Sequence, residues 1–393
     1  MGDAVIVSAA RTAIGTARKG SLAGVDAFEL SRHSLAEALK RSGIPTDDVD
    51  DIQLGESLQG GGDIARHSAV SLGLTEIPGV ALNRHCASGM AAVQQAAANI
   101  KAGMDTVVLA GGTESISTSP LAFKVDPEAE NGMRQWLSPS HPETPDAPAM
   151  DMSITVAWNT AQKADVTREQ ADEWAYHSHQ RAVAAIDEGR MEPEIVPIEI
   201  PDGEGGTRIF DTDEHPRRDT SMEKLASLPP LHPEIEGFSV TAGNSSGLND
   251  ASAALMLVDD GYADAHGLKA LGTVRSWASV GVAPAETGLA PTLAIPKALD
   301  RAGLGIGDVD LFEVNEAFAH MCVSTSRILA IPHEIMNVNG SGCSLGHPVA
   351  CTGARMVVTM VHELGRRGGG IGVVSMCAGG GMGSATVLEV EPA

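Results

Sequence analysis

The chain repeats itself. Residues 38–56 read ALKRSGIPTDDVDDIQLGE and residues 298–316 read ALDRAGLGIGDVDLFEVNE, aligned without a gap at an offset of 260. Eight of these 19 positions are identical, and Ile44/Leu304, Ile52/Phe312 and Leu54/Val314 are apolar in both. Each copy reads as a helix end, a glycine stop, a turn, and a strand running up to Glu56 or Glu316. A second correspondence supports the first. Gly89 opens a helical run leading to the strand Thr106–Leu109 and Ala110-Gly111-Gly112; Gly353 opens one leading to Ile371–Met376 and Ala378-Gly379-Gly380. Two α/β halves of one plan follow, with alternating strands and helices, parallel pairing, and helices on the sheet faces. The first half is expected at 1–118 with a return segment at 240–268, and the second at 269–393. Of 21 prolines, 13 lie between Pro120 and Pro233. Residues 119–239 therefore read as a separate, loop-rich subdomain. It still carries a helix: Thr167-x-x-Gln170 is a capping box, and Ala171, Trp174, Ala175, Ser178, Ala182 and Ile186 follow at helical spacing before Gly189.

Charge narrows the partners. The 27 Lys and Arg against 51 Asp and Glu leave a net charge of −24. That argues against general nucleic-acid binding and against docking on an anionic membrane. Any anionic ligand needs local cations or helix N-termini. Aromatics are only 3% of the chain, so Ala, Val, Leu, Ile and Met must fill the core. No run of apolar residues is long enough to span a membrane. Val5-Ile6-Val7 reads as a strand rather than the apolar part of a signal peptide. Gly2 lacks the Ser or Thr at position 6 that myristoylation wants, since Ile6 stands there. Five cysteines, Cys86, Cys322, Cys343, Cys351 and Cys377, form no C-x-x-C pair and no zinc spacing. The expectation is a cytoplasmic chain with free thiols, no disulfide and no metal.

Several motifs carry chemistry. Asn83-Arg84-His85-Cys86-Ala87-Ser88-Gly89 precedes the Ala-rich run Met90–Ala102. Cys86 thus sits at a helix N-terminus beside Arg84 and His85, where dipole and cations favour a thiolate. The alternative is a small cysteine that merely packs. Asn339-Gly340-Ser341-Gly342-Cys343-Ser344-Leu345-Gly346-His347-Pro348 is a glycine-rich loop before the helix Ala354–Leu364. Its glycines suggest backbone approaching a ligand, with His347 held by the following proline; a loop histidine at a tight turn is the alternative. Cys377-Ala378-Gly379-Gly380-Gly381-Met382-Gly383 follows a strand, at the sheet edge where α/β folds place ligands. Its bare N–H groups suit an oxyanion, although a turn with a packed cysteine fits as well. Gly243-Asn244-Ser245-Ser246-Gly247 fits G-x-S-x-G, which admits a hydrolase with Ser245 as nucleophile. Asn315 stands at the end of the second copy of the repeat where the first has Gly55, so its amide is specific to one half. The adjoining Glu56 and Glu316 look structural.

Together these motifs resemble the thiolase family closely. The ordered set is N-R-H-C-A-S-G at 83–89, T-A-G-N-S-S-G-L-N-D at 241–250, N-E-A-F at 315–318, N-V-N-G at 337–340, G-H-P at 346–348 and C-A-G-G-G-M-G at 377–383. The resemblance implies the thiolase fold: an α/β protein of two duplicated five-stranded halves in five αβαβα layers, plus an inserted loop domain that holds coenzyme A. It implies that Cys86 takes the acyl group, that His347 deprotonates it, and that Cys377 is the second acid/base. Asn315 would hold a water in one oxyanion hole with His347, and the N–H groups of Cys86 and Gly379 would form the other. Arg217 and Arg218 match the family's cofactor-contacting stretch, although a solvated loop pair is the alternative. Ser221, Ser246, Ala317 and Phe318 match its other contacts. Coenzyme A and acyl-CoA enter as substrates, with nothing bound permanently, and a homodimer or homotetramer is implied.

The chain departs from the family at Ser341 and Ala350, where glycines are usual. Met150-Asp151-Met152-Ser153 lacks the histidine of the biosynthetic members' H-M-G, and Thr287 stands where they carry Met. These positions touch the acyl pocket, so they leave chain length and direction open. Two rivals remain: a condensing enzyme using a carrier-protein thioester, and a catalytically weak acyl-CoA-binding relative. Condensing enzymes favour a Cys-His-His set, and Cys377 argues against that.

Overall fold

A computed structural model describes residues 2–203 and 205–392. The two halves expected from the repeat are present, and each builds its sheet in the same strand order. In the first half the order is Gly79–Leu82, Asp51–Gly55, Val107–Ser115, Asn249–Asp259 and Ala4–Thr12. The first three are parallel, and the last two pair antiparallel. In the second half Leu311–Val314, Gly370–Ala378, Met382–Val390 and Gly272–Gly281 repeat that order and those directions. The sheets meet edge to edge where Val5 and Ile6 pair with Thr273 and Gly272.

The repeated segments have the same local form. Gly43 ends the helix Ala27–Ser42 and Gly303 ends Pro291–Ala302, both left-handed, at φ 67° and 71°. A short 3₁₀ turn follows each, Thr46–Asp48 and Ile306–Asp308, and then the strand. The second half differs from the expected five strands at one edge. There the outer strand is reduced to a single bridge between Met336 and Phe312. Asn337 explains it. Its φ of 53° turns the chain out of extended geometry. Its side-chain amide then takes over the ladder, with Oδ1 accepting from Val314 N–H at 2.8 Å and Nδ2 donating to Val314 O at 2.9 Å.

The helices Ser88–Lys101 and Thr352–Arg367 pack together between the sheets. Ala27–Ser42 and Ile64–Ser71 cover the first sheet's outer face, and Pro291–Ala302 covers that of the second, giving five layers. The central helices touch backbone to backbone. A Cβ on Gly89 would lie 2.6 Å from Ala350 O, and one on Gly353 would lie 2.5 Å from Met90 N. An alanine in a helix interior normally stabilises by about 1 kcal/mol over glycine. Gly353→Ala is expected to do the reverse, costing about 2 kcal/mol through overpacking. A lower urea midpoint at unchanged slope checks it.

The strand Val107–Ser115 runs on through Gly111 and Gly112, past the expected end at Leu109. These glycines are there for close approach: a Cβ on Gly112 would lie 2.3 Å from Ala350 O. The proline-rich segment carries the helix Arg168–Asp187, with the Thr167 capping box formed. Buried ion pairs tie this segment to the first half, since Arg11 bridges Asp213 and Glu194.

Candidate active site

The motifs converge at one end of the two sheets. The turn before the helix Ser88–Lys101 is tight. His85 adopts φ 48°, its N–H donating to Asn83 Oδ1 at 2.9 Å, and Ser88 Oγ donates to His85 O at 2.7 Å. This strained turn projects Cys86 at the head of the helix. The expected activating cations are elsewhere. The Arg84 guanidinium donates to Ser279 Oγ at 2.9 Å and to Gln94, away from the sulfur. Burial lowers the His85 pKa, so its ring is no cation at neutral pH. Burial pushes the Cys86 thiol up to about 11, and the N–H groups of Gly379 and of Cys86 itself only partly offset this. The resting nucleophile is a thiol that needs a base.

Gly379 follows the strand Gly370–Ala378, whose last residues are Cys377 and Ala378. Its N–H points at the Cys86 sulfur. Cys377 is buried, with Sγ 3.7 Å from Met321 Sδ; burial raises its pKa, and the charge of Cys86 adds to the shift. The two cysteines thus face one another from opposite halves.

His347 is held from three sides. Its N–H donates to Asn249 Oδ1 at 3.0 Å, and its neighbour Leu248 bridges it in parallel. Its Nδ1 lies 2.7 Å from Thr352 Oγ1. The Thr352 hydroxyl also lies 2.9 Å from Pro348 O, and its one proton can serve either acceptor. With that proton on Pro348 O, Nδ1 donates to Thr352 and Nε2 keeps a free lone pair, the tautomer a general base needs. Nε2 is buried without a partner among the described residues. Burial lowers the pKa to about 4, with Arg355 adding to the shift, so the ring is neutral at pH 7. Asn315 Nδ2 lies 3.4 Å from Nδ1, and Asn315 Oδ1 is also buried without a partner. An orphaned amide oxygen beside an orphaned imidazole nitrogen marks a place built for a further polar group.

The glycines before His347 face protein rather than a ligand. A Cβ on Gly342 would lie 2.6 Å from Glu316 O, and one on Gly346 2.3 Å from the Asn249 side chain. Glu316 organises this corner. It accepts from Trp174 Nε1 at 2.9 Å, Ser178 Oγ at 2.5 Å, Asn337 Nδ2 at 2.8 Å and Cys343 N–H at 3.1 Å. One carboxylate thereby links the inserted helix to Asn315 and to the turn before His347.

Ser246 N–H donates to Ala317 O at 3.0 Å, and Ser245 bridges Phe318, so residues 244–246 lie against 317–319. Ser245 Oγ donates to its own loop at Thr241 O, 2.6 Å away. No histidine accepts from it among the described residues, so the hydrolase arrangement is not formed. Arg217 lines a cavity of about 340 Å³ with His179, His215, Lys224, Gly243 and Cys343. Burial keeps both histidines neutral, at about 3 and 4, leaving Arg217 and Lys224 as its cations, the lysine paired with Asp219 of the same cavity at 2.6 Å. Arg218 instead pairs with Asp187 at 2.6 Å. Ser221 caps the helix Met222–Ala226, its Oγ accepting from Lys224 N–H, and does not line this cavity. Among the described residues no cluster of His, Cys, Asp or Glu could hold a metal ion, and no helix is long and apolar enough to cross a membrane.

Sequence analysis did not single out Thr352, Glu316 or Asn249 as site residues. Glu316 carried a signal, as the repeated glutamate. Thr352 lies five residues beyond His347 and carried none.

Comparison with known proteins agrees. The family description "Thiolase, N-terminal domain" matches residues 4–261, and "Thiolase, C-terminal domain" matches 268–390. An acetyl-CoA acetyltransferase of Pseudomonas aeruginosa is 41% identical, over 99% of both chains. A 3-ketoacyl-CoA thiolase of Bacillus subtilis is 40% identical, over 99% of this chain and 100% of that one. The crystal structure of the Bacillus anthracis acetyl-CoA acetyltransferase superposes with a TM-score of 0.91 at 39% identity, covering 99% of each chain. With both halves matched and relatives aligned end to end, this chain belongs to the thiolase family of acyltransferases.

Proposed function

We propose that the chain exchanges acyl groups between coenzyme A thioesters through an acyl-enzyme on Cys86. It would join two acetyl-CoA units or cleave a 3-ketoacyl-CoA with free coenzyme A. The observation that carries this reading is the pairing of a desolvated thiol with an unpartnered imidazole nitrogen on a ring held at its other nitrogen by Thr352.

His347 Nε2 takes the thiol proton as sulfur attacks the thioester carbon. Direct transfer from thiol to imidazole is unfavourable, because burial holds the thiol high and the imidazole low. Proton transfer is therefore coupled to formation of the C–S bond. The carbonyl oxygen becomes an oxyanion held by the N–H groups of Cys86 and Gly379, each such donor contributing about 3 kcal/mol in acyl transfer. The coenzyme A sulfur leaves with the proton that His347 carried, and the acyl group stays on Cys86. In the second half-reaction Cys377 exchanges a proton with the substrate α-carbon or with the thiol of coenzyme A. Asn315 holds a water beside His347 as the second oxyanion site. Arg217 and Lys224 supply cations for the nucleotide end of coenzyme A, with Ser246, Ala317 and Phe318 along its path. The cofactor is a substrate in this reading, not a resident group.

The strand Gly79–Leu82 has no partner on its outer side among the described residues, although all four residues are half-buried. An unprotected edge of this kind supports assembly into a homodimer or homotetramer. We place the protein in the cytoplasm, on its five free cysteines and the absence of a spanning helix among the described residues.

Thiolysis of acetoacetyl-CoA and of a longer 3-ketoacyl-CoA with free coenzyme A tests the reading. Turnover of either supports it, and the ratio assigns acyl-chain preference. Binding of both without turnover would leave an acyl-CoA-binding protein instead. Within the same assay, Thr352→Val removes the hydroxyl that holds the imidazole at Nδ1. It is expected to lower kcat about 100-fold with little change in KM, since a wrong tautomer disables a positioned base. Thr352→Ser should keep most of the activity.

A further inference from the structure

Glu114 ends the strand Val107–Ser115 near the nucleophile and is fully buried. Among the described residues no cation pairs with it, and its oxygens are filled by donors from two loops. Leu58 N–H at 3.2 Å and Gln59 Nε2 at 2.6 Å reach Oε1, while Ala350 N–H reaches Oε2 at 3.1 Å. Ala350 lies three residues beyond His347, and its carbonyl oxygen packs on Gly89 and Gly112. Both polar groups of Ala350 are thus captured by the half that carries Cys86. Leu58 and Gln59 open a loop in which Gly60, Gly61 and Gly62 all have positive φ. Glu56 holds the same loop by accepting from Gly61 and Ile64 N–H. The titratable groups facing Glu114 are Glu56, Cys86 and Cys351.

We propose that Glu114 is a positioning residue for acyl transfer: its carboxylate locks the His347 turn against the head of the Cys86 helix. A buried carboxylate without a cation is costly. Charge-assisted bonds to three N–H donors offset part of that cost, and they specify one arrangement of three segments. The Coulomb interaction with Cys86 opposes thiolate formation. Burial pushes the Glu114 pKa up to about 7, so its charge is lost as pH falls below neutrality. The inference rests on the Cys86–His347 reading above.

The test uses the whole chain and two variants. Cys86 is the one cysteine of the five that keeps partial solvent exposure, and Cys86→Ala gives the background for alkylation. In Glu114→Gln, iodoacetamide should alkylate Cys86 more than about three-fold faster at pH 8, because removing a nearby anion lowers the thiol pKa. At the same time kcat should fall about ten-fold, with KM for the acyl-CoA within two-fold. Glu114→Asp keeps the charge but withdraws it by one methylene; it should lose kcat similarly and alkylate within about three-fold of wild type. A purely structural glutamate predicts no faster alkylation in the Gln variant. Unchanged or slower alkylation in Glu114→Gln, or kcat within two-fold of wild type in either variant, overturns the proposal. If Glu114→Gln fails to fold, the kcat of Glu114→Asp decides alone. Loss of the thiolase reading is separately visible, as absent thiolysis in the wild-type protein.

Discussion

His347→Ala is expected to slow thiolysis about 10,000-fold at pH 7, with a deficit that shrinks about ten-fold for each unit of added pH. With a thiol pKa of about 11, the thiolate fraction at pH 7 without a base is about one in 10,000. The wild-type enzyme escapes this because an imidazole with a free Nε2 takes the proton during attack. Its pKa of about 4 keeps that lone pair free throughout the neutral range. Remove the imidazole and the residual rate must follow the free thiolate, which rises with pH up to the thiol pKa. A pH-rate profile for acylation by acetyl-CoA shows the slope. A deficit constant with pH would mean that His347 serves only as an oxyanion donor.

Cys86→Ala is expected to remove acyl transfer altogether, a loss of at least about 10,000-fold, while acyl-CoA still binds. No other group can replace the sulfur. Cys377 is buried, and its thiol is pushed higher still than that of Cys86. Cys322, Cys343 and Cys351 are buried as well, and burial raises all three thiols. Loss of the covalent intermediate also removes the division of C–C bond chemistry into two steps, so ping-pong kinetics disappear with the rate. Ser245→Ala, in contrast, should leave acylation of Cys86 in place, because its hydroxyl is committed to Thr241 O. Steady-state thiolysis and a binding isotherm for each variant separate the two effects.

The duplicated plan was legible because it is local: a left-handed glycine, a 3₁₀ turn and a short apolar strand are encoded within nineteen residues, twice. The positions of Cys86, His347, Cys377 and Asn315 were legible through motifs lying next to those strand ends. What governs their chemistry was less so, because it acts through space. Arg84 looks like an activating cation in the sequence, yet its guanidinium reaches Ser279, 195 residues away. Gly342 and Gly346 look like a ligand cradle, yet they admit Glu316 and Asn249. Glu114 meets Ala350 across 236 residues, and no local pattern announces that contact. Asn337 opens the motif N-V-N-G in the sequence, and only the fold shows its amide standing in for a strand.

The central claim is that Cys86 carries the acyl group, with His347 taking its proton. Incubation of the intact protein with acetyl-CoA, followed by mass spectrometry of its peptides, tests that claim most directly. The expected result is one acetyl group per chain, on the peptide containing Cys86, released by added coenzyme A and formed far more slowly in His347→Ala at neutral pH. Bound acetyl-CoA without acetylation, or a label on Ser245 or Cys377 instead, would contradict it.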